Sequence, residues 1–370
     1  MNRPMGEHEP TSVRQNRSAL VLGAASPLGA AVLLHLKRVG GVLPIVADLR
    51  ERRDSLLALV SELGYGKGEI EIATLDPGKI AFGFEGSFLR RIKESTQWVF
   101  HLAHTRDRTL PVSEVGHTNR VLLEQVLSLG RKVKDLKSIV IVTDVGLCGD
   151  FPGKFSENWI DVGQIPFDEV DRSSREVEIV CSQDSQLPIV RARVGLLSDL
   201  EELSALAGHW RPAAQVLLSS IKLFKKLPNF INISTAVAKG SLAPLTPTDW
   251  AGQAIVHLST NPEAVGKAVH LVISPPPSME KVLDSLSKQV GGAKIRGGLP
   301  VGLIKVFGII PGMMETVRRQ ADHIASWWTP HRYCLSRNEL DTTTAEELLP
   351  ESMFPPTWWE TKAVFFRQPC

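Results

Sequence analysis

The sequence predicts an α/β protein with a doubly wound parallel sheet, and two patterns in its first 195 residues support this prediction. Short apolar runs alternate with longer segments whose apolar side chains recur at helical spacing. A turn of small residues, Gly23-Ala-Ala-Ser26-Pro27-Leu28-Gly29, joins the first run to the first helical segment. Strands and helices that alternate in this way form right-handed βαβ units, which place a parallel sheet between two layers of helices.

The first elements lie before residue 76. Residues 18–23 are an apolar run that ends in glycine, and residues 28–39 follow with helical spacing. Residues 42–48 form a second strand, and leucines recur at helical intervals over residues 51–63. Residues 69–75 alternate polar and apolar side chains, as expected for a third strand.

The same alternation continues beyond residue 97. Residues 98–102 and 138–143 are apolar runs that predict a fourth and a fifth strand. Residues 115–129 lie between them and predict a long amphipathic helix. A helix over residues 173–184 and a strand over residues 188–193 extend the predicted sheet.

After about residue 195 the pattern loosens, and loops rich in proline and glycine separate the elements. Helices are predicted over residues 213–226, 247–259 and 279–290, with a strand over residues 268–273. We therefore expect a smaller, mixed α/β lobe after the main sheet.

Composition excludes several classes of protein. The 370 residues are 43% hydrophobic with a net charge of +2, which argues against wholesale disorder. The sequence contains no dense Lys/Arg stripe with interleaved aromatic residues, so we expect no nucleic-acid partner. Residues 299–314 are interrupted by Lys305 and Pro311 and are too short to span a bilayer, which needs about 20 residues. Four scattered cysteines lack metal-ligand spacing and predict reduced thiols in the cytoplasm.

The small-residue turn predicts a site for the pyrophosphate of a dinucleotide. Gly23 allows a sharp turn, Gly29 allows the helix and strand to approach closely, and Pro27 and Leu28 begin the helix whose N–H groups face the ligand. Ser26 stands where such turns have a middle glycine, so it is either tolerated or donates a hydrogen bond. The alternative is a Gly/Pro turn in a protein that binds no nucleotide.

An acidic residue at the end of the second strand strengthens this prediction. Asp48 lies 19 residues after Gly29, where a carboxylate can accept both ribose hydroxyls of the adenosine half. A carboxylate there repels a 2′-phosphate and favours NAD over NADP. Leu49 and Arg50 follow it at the predicted site, and Arg50 with the next two arginines can reverse the preference, so NADP remains possible.

A second acid, Asp76, ends the third predicted strand. An acid at this position can reach the adenine amino group of the same ligand. The sequence Leu-Asp-Pro-Gly equally predicts an ordinary turn residue, and both interpretations stay open.

Val99-Phe-His-Leu-Ala-His104 resembles the fourth-strand motif of extended short-chain dehydrogenases/reductases. Residues 122–124, 142–150 and 188–195 keep the spacing of that family. The resemblance implies a Rossmann fold of the NAD-dependent epimerase/dehydratase type. It also implies a strand end that lines the adenosine ribose and the nicotinamide, formed by Leu102, Ala103 and His104.

The C-terminal half is similar to the thioester-reductase and fatty-acyl-reductase-like branch. The similar segments are Leu245-Thr-Pro-Thr-Asp-Trp-Ala-Gly-Gln-Ala254 and a tail with Asp341-Thr-Thr-Thr and Pro355-Pro-Thr-Trp-Trp. The resemblance implies an apolar, lipid-like or acyl-thioester ligand. We expect a disordered leader over residues 1–17, an NAD(P)-binding domain over 18–195, and a substrate lobe with tail over 196–370; a homodimer is compatible with this organisation.

The family's chemistry, as the resemblance implies, needs a Tyr-x-x-x-Lys pair on a helix to protonate the alkoxide that hydride transfer leaves. At the corresponding positions this chain has Val170 and Ser174. The two tyrosines of the chain, Tyr65 and Tyr333, lie far from this segment in the sequence. The usual acid is therefore absent.

Other polar residues are candidates for a substitute role. Asp144 stands at the family's serine position, Thr143 precedes it, and His104 ends the fourth strand as an alternative proton donor. Each of the three can instead be a polar residue that caps the end of a strand. Three functions stay open: a nucleotide-binding sensor or interaction protein without dehydrogenase activity, a reductase or epimerase with a substitute acid, and a scaffold that binds no nucleotide.

Overall fold

The computed structural model describes residues 17–104, 112–198, 233–235, 241–282, 295–297 and 338–354. Its largest sheet contains β1 (Ser18–Leu22), β2 (Leu43–Leu49), β3 (Glu71–Leu75), β4 (Thr96–His101), β5 (Ser138–Asp144), β7 (Ile189–Val194) and β11 (Ala268–Leu271). Shorter pairs are formed by β6 (Lys154–Phe155) with β13 (Glu339–Leu340), β8 (Leu196–Ser198) with β10 (Leu245–Pro247), and β9 (Ile233–Thr235) with β12 (Ile295–Gly297). The helices are α1 (Pro27–Val39), α2 (Arg53–Glu62), α3 (Gly86–Ser95), α4 (Val112–Gly130), α5 (Glu169–Gln183), α6 (Thr248–Thr260) and α7 (Thr343–Leu348).

The large sheet is parallel throughout, with strand order β11-β7-β5-β4-β1-β2-β3. The chain starts at β1, proceeds outward to β3, and then crosses to β4 on the other side of β1. Such a reversal opens a crevice at the carboxyl ends of the two central strands, where α/β proteins bind ligands. Leu22 of β1 and His101 of β4 pair at this point, so the residues that follow them meet there.

Both faces of the sheet are covered. One face packs Val21, Phe100 and Val140 against apolar side chains of α1 and α6. The other face packs Leu20, Leu22 and their neighbours against α3, α4 and α5. A strand that is buried on both faces needs apolar residues at consecutive positions, which explains the continuous apolar runs of the sequence.

Most predicted strands and helices of the first 195 residues are confirmed with small shifts of their ends. α3 was not predicted, because residues 86–95 are mostly polar and begin with a glycine. α5 begins four residues earlier than predicted, at Glu169, where Asp168 caps its first turn. The predicted helix over residues 213–226 lies outside the described residues, and so do most of the predicted helix over 279–290 and all but the last residue of the predicted leader over 1–17.

The boundary predicted near residue 195 stays a prediction. Beyond it, α6 packs on α1 and β11 pairs with β7, so both belong to the large sheet and its helical layer. No helix in the described part of the chain has the length and apolar character needed to cross a membrane.

The contact between α1 and α6 depends on a glycine. A Cβ at Gly252 would lie 2.5 Å from the Cβ of Ala31 and 2.7 Å from its carbonyl carbon. We expect Gly252→Ala to lower the free energy of unfolding by about 1–2 kcal/mol, because the helices must separate and this outweighs the better helix propensity of alanine. Urea unfolding measures the change. Gln253→Ala, on the less buried side of α6, is the control, and a Gly252→Ala variant as stable as that control would contradict the prediction.

Candidate functional site

The turn between β1 and α1 packs directly on the end of β4. Gly23 has a φ of 81°, and a Cβ there would lie 2.6 Å from the backbone nitrogen of Ala103. A Cβ at Gly29 would lie 2.3 Å from the carbonyl oxygen of Ala24. The Leu102 N–H donates to the Leu22 carbonyl at 2.9 Å and continues the ladder beyond β4. Both glycines are thus required by close backbone contacts, as their spacing predicted.

Ser26 closes this turn on itself. Its Oγ accepts a hydrogen bond from the Gly29 N–H at 3.0 Å and donates to the Gly23 carbonyl at 3.0 Å. It is the N-cap of α1, with Pro27 in the first helical position. Its φ of −134° is open to any residue, so the backbone here does not require a glycine.

Asp48 lies against the same turn. Its Oδ2 accepts from the Ala25 N–H at 2.7 Å, and its Oδ1 accepts from the Leu49 N–H at 2.8 Å. The side chain is buried, and this burial raises the pKa of the carboxyl group above its usual value, although the two backbone hydrogen bonds oppose the rise. Arg50 follows at the start of a short 3-10 turn and is exposed.

Asp76 has the geometry of a turn residue. Its Oδ1 accepts from the Gly78 N–H at 3.0 Å, and its Oδ2 lies 3.7 Å from the Lys79 Nζ. This agrees with the interpretation of Asp76 as a residue that stabilises the Leu-Asp-Pro-Gly turn. Its contact with an adenine amino group stays a prediction.

His104 belongs to a buried polar cluster that we call the His104 cluster, formed by His104, Asn119, Ser173 and Ser174. The Nε2 of His104 lies 3.0 Å from the Ser174 Oγ and 3.2 Å from the Asn119 Nδ2. The Asn119 Nδ2 also donates to the Ser173 Oγ at 2.8 Å. The structure thus joins two predicted positions, 104 and 174, with two that sequence reasoning missed. The available signal for Asn119 was a polar residue within the apolar face of a predicted helix.

The contact with Asn119 bears on which proton His104 can give. An amide nitrogen can only donate, so a hydrogen bond between the Asn119 Nδ2 and the Nε2 of His104 requires Nε2 to be the acceptor. While that hydrogen bond is made, Nε2 has no proton to give to a substrate alkoxide, and a role as proton donor requires the contact to change.

The candidates at the end of β5 have structural partners as well. The Oδ1 of Asp144 accepts from the Gly146 N–H at 2.8 Å and caps the 3-10 turn Val145–Cys148. Thr143 donates to the Oε1 of Glu178 at 2.6 Å. Val170, at the tyrosine position, is 1% exposed. The capping interpretation of Asp144 agrees with this geometry, and catalytic roles for Asp144, Thr143 and His104 stay predictions.

Comparison with known proteins gives matches at the level of structure. No family model matches the sequence, and no curated protein matches it either. The terminal R domain of the myxalamid PKS-NRPS biosynthetic pathway is similar, with a TM-score of 0.71 and 16% identity over 92% of this chain and 86% of that one. Epimerase Mth375 from Methanothermobacter thermautotrophicus has a TM-score of 0.63 and 15% identity over 94% and 92% of the two chains. UDP-glucuronic acid 4-epimerase from Bacillus cereus, solved with NAD, has a TM-score of 0.58 and 16% identity over 76% and 85%.

These similarities define the class of fold. The chain has a Rossmann-type α/β fold, similar to that of extended short-chain dehydrogenases/reductases, and the fold predicted from the sequence is confirmed. Its architecture is similar both to the terminal R domain and to the epimerases.

Proposed function

We propose that this protein binds NAD or NADP at the β1–α1 turn and acts as a nucleotide-binding sensor or interaction protein, without the dehydrogenase reaction of its fold class. The observation that carries the proposal is the His104 cluster. Ser174 replaces the lysine of the relay and hydrogen-bonds to His104, while buried Val170 replaces the tyrosine. A site without a phenol and its lysine lacks the usual donor for a substrate alkoxide.

Three features support nucleotide binding. The turn has the glycines that bring strand, helix and the end of β4 into contact. Asp48 ends β2 beside this turn, where it can accept the ribose hydroxyls. The epimerase from Bacillus cereus, which has the same fold, was crystallised with NAD. The carboxylate of Asp48 favours NAD over NADP, and exposed Arg50 keeps NADP as the second choice.

Calorimetric titration with NAD, NADH, NADP and NADPH tests the binding step. We expect NAD or NADH to bind at a single site with a measurable heat of binding. The same protein, with NADH and a panel of aldehydes, ketones, thioesters and nucleotide sugars, should oxidise NADH no faster than a blank. A protein that bound none of the four nucleotides would be a scaffold, the alternative that the serine in the turn leaves open.

A second candidate function is a reductase or epimerase that acts on an apolar, lipid-like or thioester ligand with a substitute acid. The observation in its favour is the buried pair of His104 and Ser174, whose Nε2 and Oγ lie 3.0 Å apart. Steady turnover in the panel would favour this function. The variants His104→Ala and Asp144→Asn would then identify the acid. The variant that lacks the acid should lose turnover and still bind the nucleotide. The cytoplasmic location stays a prediction in either case.

A further inference from the structure

The β1–α1 turn uses its own groups to satisfy several of its amide donors. The Gly23 N–H donates to the Ala47 carbonyl, and the Ala25 N–H donates to Asp48. In the first helical turn Pro27 has no N–H, and the N–H of Gly29 is held by the hydroxyl of Ser26. Among the first three helical residues, this leaves the N–H of Leu28 for an incoming anion.

The position of Ser26 makes its hydroxyl a competitor for a phosphoryl oxygen. A pyrophosphate at a helix N-terminus is held by the N–H groups of the first turn. The Ser26 Oγ lies 3.0 Å from the Gly29 nitrogen and accepts that N–H, so a phosphoryl oxygen that used this donor would have to displace the hydroxyl. The same hydroxyl also donates to the Gly23 carbonyl, so two hydrogen bonds hold the side chain in this position.

The second predicted ligand-binding residue, Asp48, also makes its hydrogen bonds within the protein. The carboxylate predicted to hold the ribose hydroxyls is 3% exposed, and each of its oxygens already accepts a backbone N–H. Two of the groups predicted to contact the dinucleotide, Ser26 and Asp48, therefore already make hydrogen bonds within the protein.

We propose that Ser26 competes with the diphosphate of a nucleotide for the Gly29 N–H and thereby sets the affinity of the turn. This inference rests on the proposed function, since it concerns the same site. Binding of a nucleotide diphosphate turns the Ser26 side chain away from Gly29, and the phosphoryl oxygen replaces the hydroxyl as acceptor. A ligand without a diphosphate, such as adenosine, does not meet this competition.

The Ser26→Gly variant tests the proposal, because it frees the Gly29 N–H and glycine is still accepted at an N-cap. We expect calorimetry to show NADH binding about tenfold tighter than to the wild type, since one charge-assisted hydrogen bond is gained. Adenosine affinity should not change. Asn261→Gly removes the cap of a 3-10 turn on another element and is the matched control, with no expected effect on NADH. Thermal unfolding of each variant without ligand verifies that it is folded.

The outcomes separate this inference from the proposed function. If Ser26→Gly and Ser26→Ala both bound NADH more weakly, the hydroxyl would be a ligand of the phosphate and the inference would be wrong. Unchanged NADH affinity in Ser26→Gly would also overturn it. If the wild type bound no nucleotide and Ser26→Gly did bind NADH, the competition would be supported while nucleotide binding by the natural protein would be rejected. Absence of binding to both would reject both.

Discussion

Glu178→Ala is expected to lower the free energy of unfolding by about 3–5 kcal/mol, because it leaves a buried guanidinium without its counter-charge. Glu178 and Arg193 are both 0% exposed. The Nε of Arg193 lies 2.8 Å from Oε1 of Glu178, and its Nη2 lies 2.6 Å from Oε2. The remaining partners of Arg193, the Trp159 carbonyl at 2.8 Å and His270, carry no negative charge.

His270 cannot replace the negative charge that Glu178→Ala removes, because its imidazole ring is neutral. Its Nδ1 lies 2.7 Å from the Asp341 carbonyl and its Nε2 lies 3.0 Å from Nη1 of Arg193. Burial, followed by the charge of Arg193, lowers the pKa of His270 to about 3, so the ring stays neutral and accepts the arginine N–H. The network thus joins β5, β7 and β11 to the segment that precedes α7. Among the described contacts of Arg193, Glu178 is the one carboxylate.

Urea unfolding compares Glu178→Ala with Glu176→Ala, which removes an exposed carboxylate from the same helix and should change stability by less than about 0.5 kcal/mol. The double variant Glu178→Met with Arg193→Met removes both charges and should be more stable than Glu178→Ala alone. A loss below about 1 kcal/mol for Glu178→Ala would mean that the guanidinium finds water or another anion in the folded protein.

Local patterns account for the part of the fold that was predicted. β1, the turn and α1 are neighbours in the sequence, and their apolar spacing and glycines are visible without any distant contact. α3 carries few apolar residues because one side of it faces solvent, so its spacing left too weak a signal. The first turn of α5 is acidic and capped by Asp168, and apolar periodicity alone does not reveal such a start.

Distant contacts account for what was not predicted. Asn119 and Ser173 are 54 residues apart, and they meet because α4 and α5 pack side by side on one face of the sheet. The partnership of Thr143 with Glu178 is equally non-local. Spacing predicted that Gly23, Gly29 and Asp48 lie together. That Ser26 turns inward onto Gly29 depends on its backbone angles, which the sequence does not specify.

Asp48→Ala is expected to weaken NAD binding by about 100-fold. Two ribose hydroxyls would lose a charged acceptor, and each such hydrogen bond contributes about 1.5 kcal/mol or more. The substitution also removes the acceptor of the Ala25 N–H and loosens the turn that faces the pyrophosphate. Calorimetry measures the change. Asp54→Ala, an exposed acid in the first turn of α2, is the control and should bind NAD like the wild type.

The pH dependence of binding gives this prediction a second, independent measurement. Burial raises the pKa of Asp48, so the group takes up a proton at a higher pH than an ordinary aspartate, whose pKa is about 3.9. A protonated carboxyl loses its charge and the acceptor capacity of one oxygen, so NAD affinity should fall on acidification and begin to fall above that ordinary range. Asp48→Ala should lack this component of the pH profile, whereas Asp54→Ala should keep it. Equal affinities and equal profiles for all three proteins would place the ribose elsewhere, because the carboxylate would then make no difference to the ligand.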